Sequence, residues 1–149
     1  MRQAIWRWFP ATMIAFLGLW FVACGGDNKA PAADAGTIKT NSGLQYVVLN
    51  QGSGAVAQPG KFVSVHCTGW LTDGKKFYST KDTNQPYEFV LGTGSVIKGW
   101  DEGINGMKVG DRRKLVIPPD LGYGAAGFGG GVIPGGATLI FEVELMAVK

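Results

Sequence analysis

The chain has 149 residues, enough for one domain and an appendage. Its formal charge of +3 owes two units to Arg2 and Arg7; with residues 1–23 set aside, 12 basic residues face 11 acidic ones, a balance of +1. A domain this close to neutral gives no basis for nucleic-acid binding, and its one tight basic cluster, Arg112-Arg113-Lys114, lies in an alternating pattern and reads as a solvated strand end.

The first 24 residues, MRQAIWRWFPATMIAFLGLWFVAC, run from two arginines through an apolar stretch to small residues, the layout of an export signal over 1–23. Phe21-Val22-Ala23-Cys24 resembles the lipobox of bacterial lipoproteins, although Phe21 stands where leucine is usual. That resemblance implies that Cys24 is lipidated and begins the mature chain. The competing reading is an uncleaved anchor, because residues 8–26 carry no charge and approach the ~20 residues of a spanning helix. Pro10, Thr12 and the abrupt Cys24-Gly25-Gly26 argue for processing. Both readings leave the basic end inside and the domain outside the inner membrane. Gly25 lacks the aspartate that resembles an inner-membrane retention signal, which favours the outer membrane, with the domain facing the periplasm. Residues 24–41 are small, polar and alanine-rich, and read as a flexible tether.

The globular part starts at Ser42. Leu44, Tyr46 and Val48 alternate along a first strand, and Gln51 to Gly60 is a turn-rich connection. Lys61 to Leu71 (KFVSVHCTGWL) is a long strand; Asp73-Gly74 signals a hairpin back through KKFYST. His66, the single histidine, lies among Val63, Val65 and Cys67 and reads as a sheet-packing residue. Once Cys24 is consumed, Cys67 has no partner for a disulfide or a paired-cysteine metal site within one chain. After a loop over Asp82 to Pro86, Tyr87 to Gly92 forms another strand. In Val96 to Met107, Val96, Ile97, Trp100 and Ile104 recur at helical spacing, with Lys98, Asp101, Glu102 and Asn105 on the opposite, solvated side. Gly94-Ser95 and Gly106 are its start and stop signals. Spacing alone leaves Trp100 open between core and pocket floor.

Asp111 to Pro119 is a strand stopped by Pro118-Pro119. The glycine-rich stretch from Asp120 to Ala137 lacks the lysine and following helix of a phosphate-binding loop, and suits a mobile flap beside a pocket. TLIFEVELMAV closes the chain, with Leu139, Phe141, Val143, Leu145 and Ala147 on one face and Ile140, Glu142, Glu144 and Met146 on the other. The expected architecture is α+β: an antiparallel sheet of about five strands with one short helix against its apolar face.

VHCTGWLTDGKKFYST, LGTGSVIKGWDEGINGMKVGD, RKLVIPPDLGYGAAG and VIPGGATLIFEVEL, in that order, resemble an FKBP-type peptidyl-prolyl cis-trans isomerase over the whole of 42–149. The resemblance implies a five- to six-stranded half-barrel wrapped on the helix, with a shallow apolar pocket between. It implies a catalytic set of Trp100 as floor, Phe77 and Phe141 as walls, and Tyr123 donating its hydroxyl to a carbonyl of an X-Pro segment. Tyr87, Phe89, Val96, Ile97 (through its backbone N–H), Ile133 and Phe128 of the flap complete the substrate-binding side. Phe77, Phe89, Val96 and Phe141 would be core in any such sheet, so periodicity alone does not promote them. Three positions depart from the pattern: Cys67 stands for a tyrosine, Tyr78 for an aspartate and Thr83 for an arginine, with Cys67 and Tyr78 at the rim. The missing carboxylate implies measurable but reduced turnover on proline-containing exported proteins. The alternative is a tethered chaperone or proline-segment binding module. The resemblance further implies macrolide inhibitors, a monomer, and no cofactor or metal.

Overall fold

A computed structural model describes residues 36–149. The export segment and Cys24 lie outside the described residues. All six strand patterns appear as strands: β2 (Gln45–Asn50), β3 (Phe62–Leu71), β4 (Lys76–Ser79), β5 (Tyr87–Val90), β6 (Arg112–Ile117) and β7 (Leu139–Val148). A seventh, β1 (Ile38–Lys39), pairs with Tyr46 and Gln45, so the sheet takes in two residues that the sequence reading gave to the tether.

The sheet is antiparallel and open, in the order β1-β2-β6-β7-β3-β4. The first half of β3 pairs with β5 and its second half with β4. The single α-helix among the described residues, α1, covers Lys98–Ile104. It begins two residues later than the apolar spacing suggests, because Ile97 is its N-cap, with extended ψ of 145°, leaving Val96 and Ile97 in the preceding loop. It ends as expected, at the Asn105 cap followed by Gly106, whose φ of +76° is the left-handed conformation that terminates helices.

Two glycines set how closely α1 approaches the sheet. A Cβ on Gly99 would lie 2.5 Å from Ile117 Cγ2, and one on Gly103 would lie 2.8 Å from Leu115 Cδ2. The four-residue spacing puts both on one helix face, which rests directly on β6.

The supposedly solvated charges tie the helix down. Asp101 accepts hydrogen bonds from the Gly92 N–H at 2.8 Å and the Gly94 N–H at 3.2 Å, so it fixes the loop ahead of its own helix. The Ser42 hydroxyl donates to the Glu102 carboxylate at 2.6 Å. Arg113 is no solvated strand end: its side chain is 12 % exposed, and Nη1 donates to the Gly103 carbonyl at 2.9 Å, a cation on the last carbonyls of the helix. Lys114 is buried as well. Only Arg112 behaves as expected, half-exposed and paired with Glu142 across the strand.

The β7 pattern also needs one correction. A register shift between Ser64 and Val65 inserts an extra residue, Met146, on β7. A bulge of one residue reverses the alternation beyond it. Val148, rather than Ala147, therefore packs on the core.

Candidate functional site: an aromatic cavity between helix and sheet

A cavity of about 550 Å³ opens between the start of α1, the inner face of the sheet and the glycine-rich loop. Each element brings its residues for a local reason. On β4, Gly69 pairs with Tyr78 but Trp70 with Lys76, so Phe77 is an extra, bulged residue. Strict alternation would send one of two successive side chains to the outer face. The bulge turns both Phe77 and Tyr78 into the cavity. Opposite them, Gly69 leaves room for the Phe77 and Phe141 rings, each 2.7 Å from where its Cβ would be. The rings meet edge to face, 5.4 Å between centroids.

Trp100 lies at the bottom, 5 % exposed. Its indole touches Phe141 at 5.2 Å and Tyr87 at 5.8 Å, both nearly perpendicular, and Phe89 at 5.9 Å. The indole Nε1 is buried without a hydrogen-bond partner. An orphaned donor of this kind costs about 1–3 kcal/mol.

The flap is ordered by its own backbone. Phe128 N–H donates to the Ile133 carbonyl at 2.9 Å and Ile133 N–H returns a bond at 3.0 Å, closing a hairpin around Gly129 to Val132. At Gly127 a Cβ would sit 2.2 Å from the Ile133 carbonyl oxygen, so this turn admits no side chain. The Phe128 ring stacks on Tyr123 at 4.8 Å yet stays 59 % exposed. Among the described residues, the Tyr123 hydroxyl and the Ile97 N–H have no protein partner. Burial, and then the neighbouring Tyr87, hold the Tyr123 phenol above its ordinary value, so it stays a neutral donor.

The structure thus brings Tyr123, Trp100, Phe77, Phe141, Tyr87, Val96, Ile97, Phe128, Ile133 and Tyr78 to one cavity. Phe89 is not on its wall; it backs Trp100 and Tyr87 from the core. Cys67, expected at the rim, is fully buried off the cavity. Its N–H donates to Thr80 Oγ1 at 2.9 Å, and burial pushes the thiol up to about 12 even though Thr80 and Lys81 act the other way. A thiol so seldom ionised is not a nucleophile. Thr83 donates to the Thr80 carbonyl at 3.3 Å and serves its own loop. Ser95, Gly129 and Val132 also line the cavity and were not singled out from the sequence. Their only signal was adjacency, Ser95 to the helix start and the other two to the flap residues.

Comparison with known proteins agrees with this geometry. The family model described as FKBP-type peptidyl-prolyl cis-trans isomerase matches residues 54–146. An FK506-binding protein of Neisseria meningitidis serogroup B is 58 % identical over 106 residues, covering 71 % of this chain and 96 % of its own. The peptidyl-prolyl cis-trans isomerase Fkbp12 of Drosophila melanogaster is 47 % identical over 108 residues, 72 % of this chain and 99 % of its own. Among solved structures, FkpA from Escherichia coli superposes with a TM-score of 0.72 at 41 % identity, over 78 % of this chain and 53 % of that one. AtFKBP13 gives 0.71 at 35 % identity, over 76 % and 99 %. Sequence motifs, sheet order and aromatic cavity converge on one conclusion: this chain belongs to the FKBP-type peptidyl-prolyl cis-trans isomerases.

Proposed function

We propose that the aromatic cavity catalyses rotation about X-Pro bonds of exported proteins by favouring the twisted amide, and that the domain works at the periplasmic side of the envelope from a lipid on Cys24. The observation that carries the mechanism is the lining: aromatic walls around Trp100, no charged side chain, and unpartnered donors, among them the Tyr123 hydroxyl and the Ile97 N–H. Twisting an amide costs ~18–20 kcal/mol because resonance is lost. The twisted carbonyl is less polarised than the planar one, so a dry site penalises it less. Tyr123 and Ile97 hold flanking carbonyls while the amide turns. No bond is broken and no proton changes place. A macrolide of the FK506 type, the ligand in the relatives' names, would compete for the same cavity.

The test is the exchange rate of an Ala-Leu-Pro-Phe type peptide by NMR across pH. Tyrosines are the only titratable side chains on the lining. Burial holds the phenols of Tyr123 and Tyr78 above the ordinary tyrosine value. Catalysis should therefore be flat within about twofold from roughly pH 5 to 9 and fall only on the alkaline side, where the hydroxyl donor ionises. A bell centred near neutrality would replace this mechanism with acid–base chemistry. Peptide binding with no acceleration would replace it with a proline-segment binding module. For the anchor, support comes from the basic-then-apolar segment ending at Cys24. Mass spectrometry of membrane-extracted protein should find lipid on an amino-terminal Cys24; a chain retaining Met1 would instead be held by an uncleaved segment.

A further inference from the structure

We propose that Tyr78 is a second side-chain donor of the site, holding a backbone carbonyl of the bound segment other than the one held by Tyr123. This rests on the isomerase reading of the cavity. The first observation is the bulge on β4. Without the extra Phe77, consecutive residues of that strand would point to opposite faces; with it, the ring of Tyr78 joins that of Phe77 on the cavity.

The second observation is the hydroxyl. Tyr78 is 42 % exposed, and among the described residues nothing hydrogen-bonds its oxygen. The fold gains nothing from that group, since a phenylalanine would cover the same apolar surface. Its phenol is raised, first by burial and then by the nearby Cys67, Tyr87 and Tyr123, so it remains a protonated donor.

The third is the polar inventory of the lining. Ser95 Oγ is already engaged with Thr93 Oγ1 at 2.6 Å. The side chains left over are three phenols and the buried indole N–H of Trp100, and no carboxylate or side-chain amide lies on the wall to accept from them. The ligand must supply the acceptors. An extended proline segment does so, because it has no internal hydrogen bonds and presents a free carbonyl at each residue. Two phenol donors on different elements, β4 and the loop after β6, would grip two such carbonyls and hold the segment across the cavity.

The experiment compares Tyr78→Phe and Tyr78→Ala with the full-length wild-type protein, using an Ala-Leu-Pro-Phe type peptide. Dissociation constants come from calorimetry, and kcat and KM from NMR exchange. A donor that grips planar and twisted forms alike is lost from KM rather than kcat. Tyr78→Phe should raise Kd and KM about two- to tenfold, the range of one neutral hydrogen bond, with kcat within about twofold and an unchanged melting temperature. Wild-type affinity in Tyr78→Phe overturns the proposal, and weakening in Tyr78→Ala alone would make Tyr78 a plain apolar wall. A wild-type protein that binds the peptide without speeding exchange defeats the isomerase reading, while the Kd comparison still decides Tyr78. A wild-type protein that binds no peptide defeats both.

Discussion

Replacing Trp100 with leucine should lower kcat/KM for X-Pro exchange by at least about tenfold, or ~1.4 kcal/mol of transition-state stabilisation, in a protein that still folds. Trp100 is the floor on which three aromatic rings converge, at 5.2, 5.8 and 5.9 Å. Leucine fills part of the volume but offers no flat, rigid surface for a proline ring, and the gap it leaves beneath the substrate admits water. Water restores the solvation of the planar amide, which is what the site is built to withhold. Stability should fall less than the loss of a buried aromatic suggests. The edge contacts are worth about 0.5–1.5 kcal/mol each, but the variant also removes an indole N–H that is buried without a partner, an orphan that costs about 1–3 kcal/mol. A net loss of about 1–3 kcal/mol in urea titration is expected. Exchange should be compared where circular dichroism finds both proteins folded. Equal kcat/KM in the two would return Trp100 to the core and remove it from the site.

The fold was largely readable because its signals are local. Alternation in KFVSVHCTGWL and TLIFEVELMAV, the Asp73-Gly74 turn, the double proline at 118–119 and Gly106 each act over a few residues and place the elements to within two positions. What escaped depends on partners distant in sequence. The outer, polar side of the helix looked idle, yet Asp101 pins the loop at Gly92 and Gly94. Arg113 looked like surface charge, yet its guanidinium meets carbonyls at the end of α1, ten residues away from Gly103. Periodicity reports which face is apolar; it cannot report that a polar side chain finds backbone groups to satisfy. The bulges at Met146 and Phe77 are register slips between strands, visible only when both strands are in place. The second of these carries functional weight, because it is why two neighbouring residues both reach the cavity. Cys67 went astray for a related reason: a motif position marked it as rim, whereas the small side chain lies wholly in the core and Tyr78 alone reaches the mouth.

The glycine pair of α1 gives the second large effect. Gly99→Ala should destabilise the protein by about 1–3 kcal/mol, as overpacking of a close contact does, even though alanine is about 1 kcal/mol better than glycine inside a helix. The new methyl would lie 2.5 Å from Ile117 Cγ2 and 3.0 Å from its Cγ1 and Cδ1. Ile117 is fully buried, and its branched Cβ fixes those atoms close to the strand backbone, so it cannot swing clear. Gly103→Ala is the internal control. Its methyl would meet the terminal carbons of Leu115, at 2.8 and 2.9 Å, which can turn about the end of a longer side chain. There the helical gain and the packing strain should nearly cancel, within about 1 kcal/mol of wild type. Each lost kcal/mol shifts the melting temperature of a domain this size by roughly 4–8 °C, so the two variants separate easily in a thermal scan. Gly99 also adjoins Trp100 at the first turn of α1. Relief of the clash must lift that turn from β6 and carry the indole with it, so kcat/KM should fall in Gly99→Ala at temperatures where the protein is folded, and hold in Gly103→Ala. A Gly99→Ala protein as stable as wild type would mean that propensity outweighs the contact, and that the helix does not depend on a bare backbone at Ile117 to hold the floor of the cavity in place.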